Sequence, residues 1–350
     1  MDERLKKNKN VLIIGSGLTG AVLAYKHKCD GDNVTVFEKR NHIGGNVYTK
    51  FVGDICVHQY GAHIFHTSDE EVWSLVNKFV HFNKYRHQVK SRYNGKLYSL
   101  PINMNTFNEF FNITNPEDIK DEHVEAIHKA LFYGYSSKQW GKPIENINKD
   151  VFKRLPIRKT FNNNYFDDKY QGIPIEGYTK LIDGLLSGCD VTTEFKIYNT
   201  FDFSGYDIIY NTGPIDEFFD YKLGQLEYRS IAFINEYHEG ITLQDYAVIN
   251  EANPKTPYTR IIEHKHFNDT GQKDTVITIE YPKEYNTTNE PYYTVNDEKN
   301  NNLYDDYVKL AKEKFPNMIF CGRLGAYKYY DMDDAVREAL NIFKKNKEAN

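Results

Sequence analysis

Residues 10–27 read NVLIIGSGLTGAVLAYKH, and their reading decides the fold. An apolar, β-branched run enters a glycine turn, and an apolar segment of helical period leaves it. Gly15, Gly17 and Gly20 form a GxGxxG pattern between that strand and that helix. The first glycine allows the turn, the second lets the backbone approach a pyrophosphate, and the third lets the helix lie close on the strand. Thr19 shares the turn. The unpaired N–H groups of a helix start attract phosphate. A second strand, NVTVFEKR at 33–40, ends on Glu38, where a carboxylate accepts ribose hydroxyls. Together these segments open a doubly wound sheet that binds a dinucleotide.

The adjoining segment narrows the cofactor. In KRNHIGGN, residues 39–46, Gly44, Gly45 and Asn46 offer a second close approach of backbone to a ligand. This is similar to FAD-binding proteins of the glutathione-reductase type. The C-terminal strand, polar loop and helix suit a flavin too: a helix start near Asp331 and Met332 favours negative charge at the N1/O2 edge of a reduced isoalloxazine.

The 350 residues are 40% hydrophobic and 27% charged, enough for a sizeable core in about two domains. A formal net charge of -5 argues against a nucleic-acid partner. Cys29, Cys56, Cys189 and Cys321 form no CxxC pair, which predicts reduced thiols and a cytoplasmic protein. The opening MDERLKKNKN does not read as a signal peptide, and no apolar run approaches the roughly 20 residues of a membrane helix, so no membrane partner is expected.

Along the chain the pattern changes to helical from 102 to about 150, and short strands return near 191. Alternating runs fill 228–290 and predict an antiparallel sheet. The expected architecture is α/β: an FAD-binding, Rossmann-like doubly wound sheet from 1–84, 178–226 and 316–350; an inserted helical domain at 102–152; and an antiparallel substrate domain from 85–101, 153–177 and 227–315, with a mobile loop near 150–165. That loop lies in RLPIRKTFNNNYFDDKYQGIP, residues 154–174, where cations interleave with aromatic rings. On an acidic chain this mixture points to a small anionic ligand with a flat ring. His63 and His66 have a spacing compatible with a metal pair, but no carboxylate or cysteine stands at ligand spacing, so no metal is expected.

Several strings carry a resemblance: EKRNHIGGN, YGAHIFHT, NMNTF, GYSSKQWG, the 154–174 segment, PYTRIIEHKHF, EPYY and GRLGAYKYYDM. In order, from about Val11 to about Phe343, the chain resembles the bacterial, FAD-dependent UDP-galactopyranose mutases. The resemblance implies an isomerase that interconverts UDP-galactopyranose and UDP-galactofuranose through a covalent adduct of sugar with reduced flavin N5, without net redox change, in cell-surface glycan biosynthesis. It implies UDP-galactose and UDP as ligands. It makes Arg154 and Arg260 the diphosphate arginines and puts His63 beside the flavin. It implies substrate contacts from Tyr135, Ser136, Trp140, Tyr165, Asn250, Tyr292, Tyr329 and His87. It adds Ile64, Thr212, Gly213 and Arg323 to Gly15, Gly17, Thr19, Gly20, Glu38, Gly45, Asn46, His63, Asp331 and Met332 as the cofactor set. Two departures stand out. His87 occupies a position where many members have Asn, and the helical insert is short, which predicts a monomer rather than the usual homodimer. A flavin oxidoreductase on the same fold and a non-catalytic nucleotide-sugar binder remain as rival readings.

Overall fold

The structure, a computed structural model, describes residues 8–147 and 155–348. Five parallel strands lie in the order Met318–Phe320, Ile208–Asn211, Asn10–Ile14, Asn33–Phe37 and Asp190–Thr192. Alternation along Asn10–Ile14 splits the core in two. Val11 and Ile13 face the helices Leu18–Cys29, Tyr178–Leu186 and Met332–Glu348, whereas Leu12 faces Phe218, Tyr307 and Ala311 on the opposite side. The glycine turn is as tight as its residues demand. Gly15 has φ +102°, and a Cβ there would fall 2.0 Å from Thr212 Oγ1. A Cβ on Gly20 would fall 2.1 Å from the Gly15 carbonyl oxygen, so the helix could not start where it does.

A second sheet has seven strands in the order Tyr293–Thr294, Tyr228–His238, Thr275–Glu284, Arg260–Glu263, Val248–Glu251, Val89–Tyr93 and Lys96–Leu100. It departs from pure antiparallel order at one joint: Val248–Glu251 runs parallel to Val89–Tyr93. The cause is that the chain enters this sheet twice, first as the hairpin Val89–Tyr93 and Lys96–Leu100, and later as strands of which Val248–Glu251, Arg260–Glu263 and Thr275–Glu284 pair in sequence. Where the two visits meet, no hairpin dictates direction. A further difference concerns Glu298–Lys314, inside the segment assigned to the substrate domain. It is a 17-residue helix whose Tyr307 and Ala311 pack under the parallel sheet with Leu12, Ile209 and Met318. Leu303, Tyr307 and Ala311 recur at four-residue spacing, a helical stripe hidden in a very polar segment.

The helical insert begins at Met104–Phe111, capped by Asn103 in a reciprocal box with Thr106. It continues as Asp121–Ile127, a widened π turn at His128–Tyr133, and Gly134–Trp140. Ile127, Ala130 and Leu131 bury against Val89, Leu100, Val248 and Ile262 of the second sheet. Gly134 is where the helix meets that sheet most closely, since a Cβ there would lie 2.3 Å from the Ala252 carbonyl oxygen. Among the described residues no helix is long and apolar enough to cross a membrane.

Candidate active site

Two clefts share a wall. The first, with an empty volume of about 1270 Å³, opens at the carboxyl ends of the parallel strands. Of the expected cofactor set, Gly15, Gly17, Thr19, Gly20, Glu38, Gly45, Asn46, His63, Thr212, Gly213, Arg323, Asp331 and Met332 line it, and Ile64 lines the second cleft instead. Two glycine loops face each other here: a Cβ on Gly45 would stand 3.0 Å from the Gly17 Cα. The first N–H groups of Leu18–Cys29 receive no side-chain cap, and no acidic residue sits in that first turn. Glu38 is buried, with Oε2 accepting from Ser16 N–H (2.9 Å) and Oγ–H (2.7 Å) and Oε1 accepting from Arg40 N–H (2.9 Å). An uncapped helix start, a side-chain-free groove and an oriented carboxylate fit a dinucleotide diphosphate and its ribose. Arg40 was not foreseen. It lies over the Tyr60 ring at 4.4 Å and donates to Asn46 Oδ1 and Glu290, tying the Asn46 loop to the second sheet.

The second cleft, about 1670 Å³, lies between the Gly134–Trp140 helix, the seven-stranded sheet and Leu155, Tyr165 and Phe166. Asn46, His63, Arg323, Asp331 and Met332 border both clefts. Arg260, Tyr135, Ser136, Tyr165, Asn250, Tyr292, Tyr329 and His87 are gathered here. Trp140 is not. It lines a separate cleft with Lys142, Arg229 and Tyr285. Five helical residues rotate the chain by about 500°, so Trp140 points roughly 140° away from Tyr135. Arg154 lies outside the described residues. Its neighbours in the cationic segment have protein partners: Arg158 pairs with Asp167 at 2.7 Å and donates to the Tyr165 carbonyl, and Lys169 pairs with Glu70. Lys138, also unforeseen, donates from Nζ to the carbonyls of Glu251 (2.7 Å), Tyr258 (2.8 Å) and Asn253 (3.0 Å), pinning the Tyr135 helix to the sheet.

The charges are set by burial and by two arginines. Arg260 donates from Nε to Glu280 Oε2 at 2.5 Å, and the carboxylate is wholly buried. Arg323 lies 4.9 Å from the Tyr329 ring and donates to the Tyr330 carbonyl. His63 Nδ1 lies 2.8 Å from the Gly61 carbonyl oxygen. A carbonyl can only accept, so Nδ1 carries the proton and Nε2 keeps a lone pair. Burial, reinforced by Arg323 and Arg260, lowers its pKa to about 4 and keeps the ring neutral. His87 is lowered to about 3 by burial first, then by Arg260 and His66, and its Nδ1 meets the Tyr85 hydroxyl at 3.1 Å. His66 stacks on Phe166 at 3.6 Å and pairs with Asp168. Asn250 Oδ1 is buried with no hydrogen-bond partner. Among the described residues no group of His, Cys, Asp and Glu is arranged to hold a metal ion.

These histidines predict acid lability. Burial lowers His58, His63, His87 and His264 below the usual value near 6.5. Between that value and their folded values the unfolded chain binds more protons, so stability is complete above about pH 6.5 and falls as pH drops towards 4. His266, raised by Glu263, opposes this weakly. The melting temperature is expected to fall steeply from pH 6.5 to 4.5, ahead of carboxylate titration; a flat profile would show that these rings are not held neutral.

Comparisons with known proteins point to one family and to more than one named activity within the fold. A sequence description of UDP-galactopyranose mutase matches residues 130–329, and one of an NAD(P)-binding Rossmann-like domain matches 13–79. The chain is 35% identical to a dTDP-fucopyranose mutase of Escherichia coli, over 97% of this chain and 99% of that one. It is 35% identical to a probable UDP-galactopyranose mutase of Klebsiella pneumoniae, over 95% and 93%. In fold it resembles a crystal structure of reduced UDP-galactopyranose mutase, with a TM-score of 0.76 at 13% identity over 98% and 95% of the two chains. A putative protoporphyrinogen oxidase from Exiguobacterium shares the fold at a TM-score of 0.66, 13% identity and 98% and 100% coverage.

Proposed function

The chain belongs to the UDP-galactopyranose mutase family, and from that we infer that it is an FAD-dependent isomerase interconverting UDP-galactopyranose and UDP-galactofuranose. The observation that carries this reading is the junction of the clefts: a dinucleotide groove opens through His63, Asn46 and Arg323 into a cavity whose charged anchor is Arg260. Gly15, Gly17, Gly45, Glu38 and Arg323 would hold the flavin, which, bound and reduced, would supply a nucleophilic centre for transfer of the sugar without net redox change.

The chain's own residues hold the reactants. Arg260 offers its terminal nitrogens to the UDP diphosphate and neutralises charge as that group departs. Arg154, assigned by the resemblance, closes on the same group. Tyr135 offers a ring to the base, and Ser136 a hydroxyl beside it. Tyr292 is a neutral phenol whose pKa is raised by burial, and Tyr165 and Tyr329, more exposed at the edge of the cleft, offer hydroxyls that can donate to phosphate. Asn250 has an unspent acceptor for a ligand hydroxyl. His63, neutral with Nε2 free, accepts a hydrogen bond at the junction and adds no charge there.

A second substrate has support: the E. coli relative is named a dTDP-fucopyranose mutase. The testing experiment gives the reduced, purified protein UDP-galactofuranose and, separately, dTDP-fucopyranose, and separates products by chromatography. Formation of UDP-galactopyranose supports the first reading. Turnover of the dTDP sugar alone would replace it. From the short helical insert we infer a monomer. A monomer mass at every concentration is the expected light-scattering result, and a dimer mass independent of concentration would exclude it.

A further inference from the structure

Glu280 is not among the residues that hold the reactants, yet three features converge on it. It lies on Thr275–Glu284, directly across the antiparallel ladder from Arg260. Its carboxylate is 1% exposed, and Oε2 accepts from Arg260 Nε at 2.5 Å. Its other oxygen, Oε1, is buried without a hydrogen-bond partner and abuts Gly61, where a Cβ would fall 2.9 Å away. The backbone of Gly61, at φ +96°, allows that approach, and its carbonyl in turn accepts from His63 Nδ1.

A buried carboxylate with one oxygen unsatisfied is a poor source of stability, because desolvation offsets much of the ion-pair attraction. Its position has a geometric consequence instead. With Nε engaged, a ligand meets Arg260 through its terminal nitrogens, which also lie within reach of the Tyr293 hydroxyl, and rotation of the guanidinium plane is blocked at its inner edge. The packing of Oε1 on Gly61 stops the carboxylate from following a moving arginine. We propose that Glu280 is a positioning residue, fixing the plane of the Arg260 guanidinium so that its terminal nitrogens meet the substrate diphosphate as a preset fork. The proposal rests on the UDP-sugar reading of the cavity.

The test is a double-mutant cycle read as UDP affinity by calorimetry, with kcat and KM measured alongside. The proteins are the wild-type holoenzyme, E280Q, R260K and E280Q/R260K. E280Q keeps the shape but removes the charge, and is expected to weaken UDP binding roughly tenfold and to raise KM. In the R260K background, which has no planar fork to orient, the same change is expected to alter UDP affinity less than about twofold. E280D, which retracts the carboxylate by one methylene, is the second probe if E280Q does not fold. It is expected to weaken UDP binding in the wild-type background and not in R260K. Unchanged affinity in the Glu280 variants, or an equal loss in both backgrounds, overturns the proposal. A wild-type protein that fails to bind UDP overturns the UDP-sugar reading itself, a separate and recognisable outcome.

Discussion

Replacing Arg260 with lysine is expected to lower kcat/KM by roughly two to three orders of magnitude. The charge survives the change, so the prediction rests on geometry. A guanidinium makes two parallel hydrogen bonds to a diphosphate, and a charge-assisted hydrogen bond contributes about 1.5–3 kcal/mol. Lysine keeps one compact charge on a flexible stem. It also lacks the second, parallel donor that a guanidinium fork presents to the phosphate oxygens. Both effects fall harder on the transition state than on the ground state, because negative charge on the diphosphate grows as the sugar leaves. Steady-state kinetics on the reduced enzyme, with flavin absorbance to check cofactor occupancy, decide the matter. Near-normal kcat/KM would remove Arg260 from the diphosphate site. The resemblance assigns Arg154 the same duty, so Arg154→Lys should lose activity to a similar degree.

The second large effect is all-or-none. Activity is expected to be absent with oxidised FAD and to appear on reduction, while no reducing equivalent is consumed per turnover. Oxidised isoalloxazine lacks an electron-rich N5, so it cannot displace a diphosphate, whereas the reduced form can. Arg323, which borders both clefts, is the group placed to offset negative charge on a reduced ring; His63 stays neutral, and the Met332–Glu348 helix that begins at the shared wall carries Asp333 and Asp334 in its first turn. Anaerobic assays with dithionite, counting reductant against product, give the answer. Equal turnover by oxidised enzyme would defeat the mechanism. Stoichiometric consumption of reductant would select the flavin oxidoreductase reading, which the fold alone permits.

Legibility in the sequence differs from element to element. The dinucleotide groove was readable because every demand on it is local: Gly15, Gly17 and Gly20 answer steric requirements within one turn, and Glu38 ends the next strand. Most of the second cleft was readable through long strings shared with a family, which place Arg260, Tyr135, Asn250 and His87 before any geometry is known. Trp140 escaped that logic, since a string records neighbours along the chain and not the direction each side chain faces. Glu298–Lys314 escaped it too, because a polar helix reveals its docking face only when the surface it covers is present.

The amino-acid sequence alone determined the strand–turn–helix opening and the mixed α/β plan with its parallel and largely antiparallel sheets, since these depend on steric and periodic properties of residues close together in the chain. Only the tertiary structure decided that Glu280 takes the inner edge of Arg260, that Gly61 walls in its second oxygen, and that Lys138 clamps the Tyr135 helix. Those choices join residues distant in sequence, and they arise from strand register and from burial, where a carboxylate, a carbonyl or an ammonium must find its partner in whatever packing brings near.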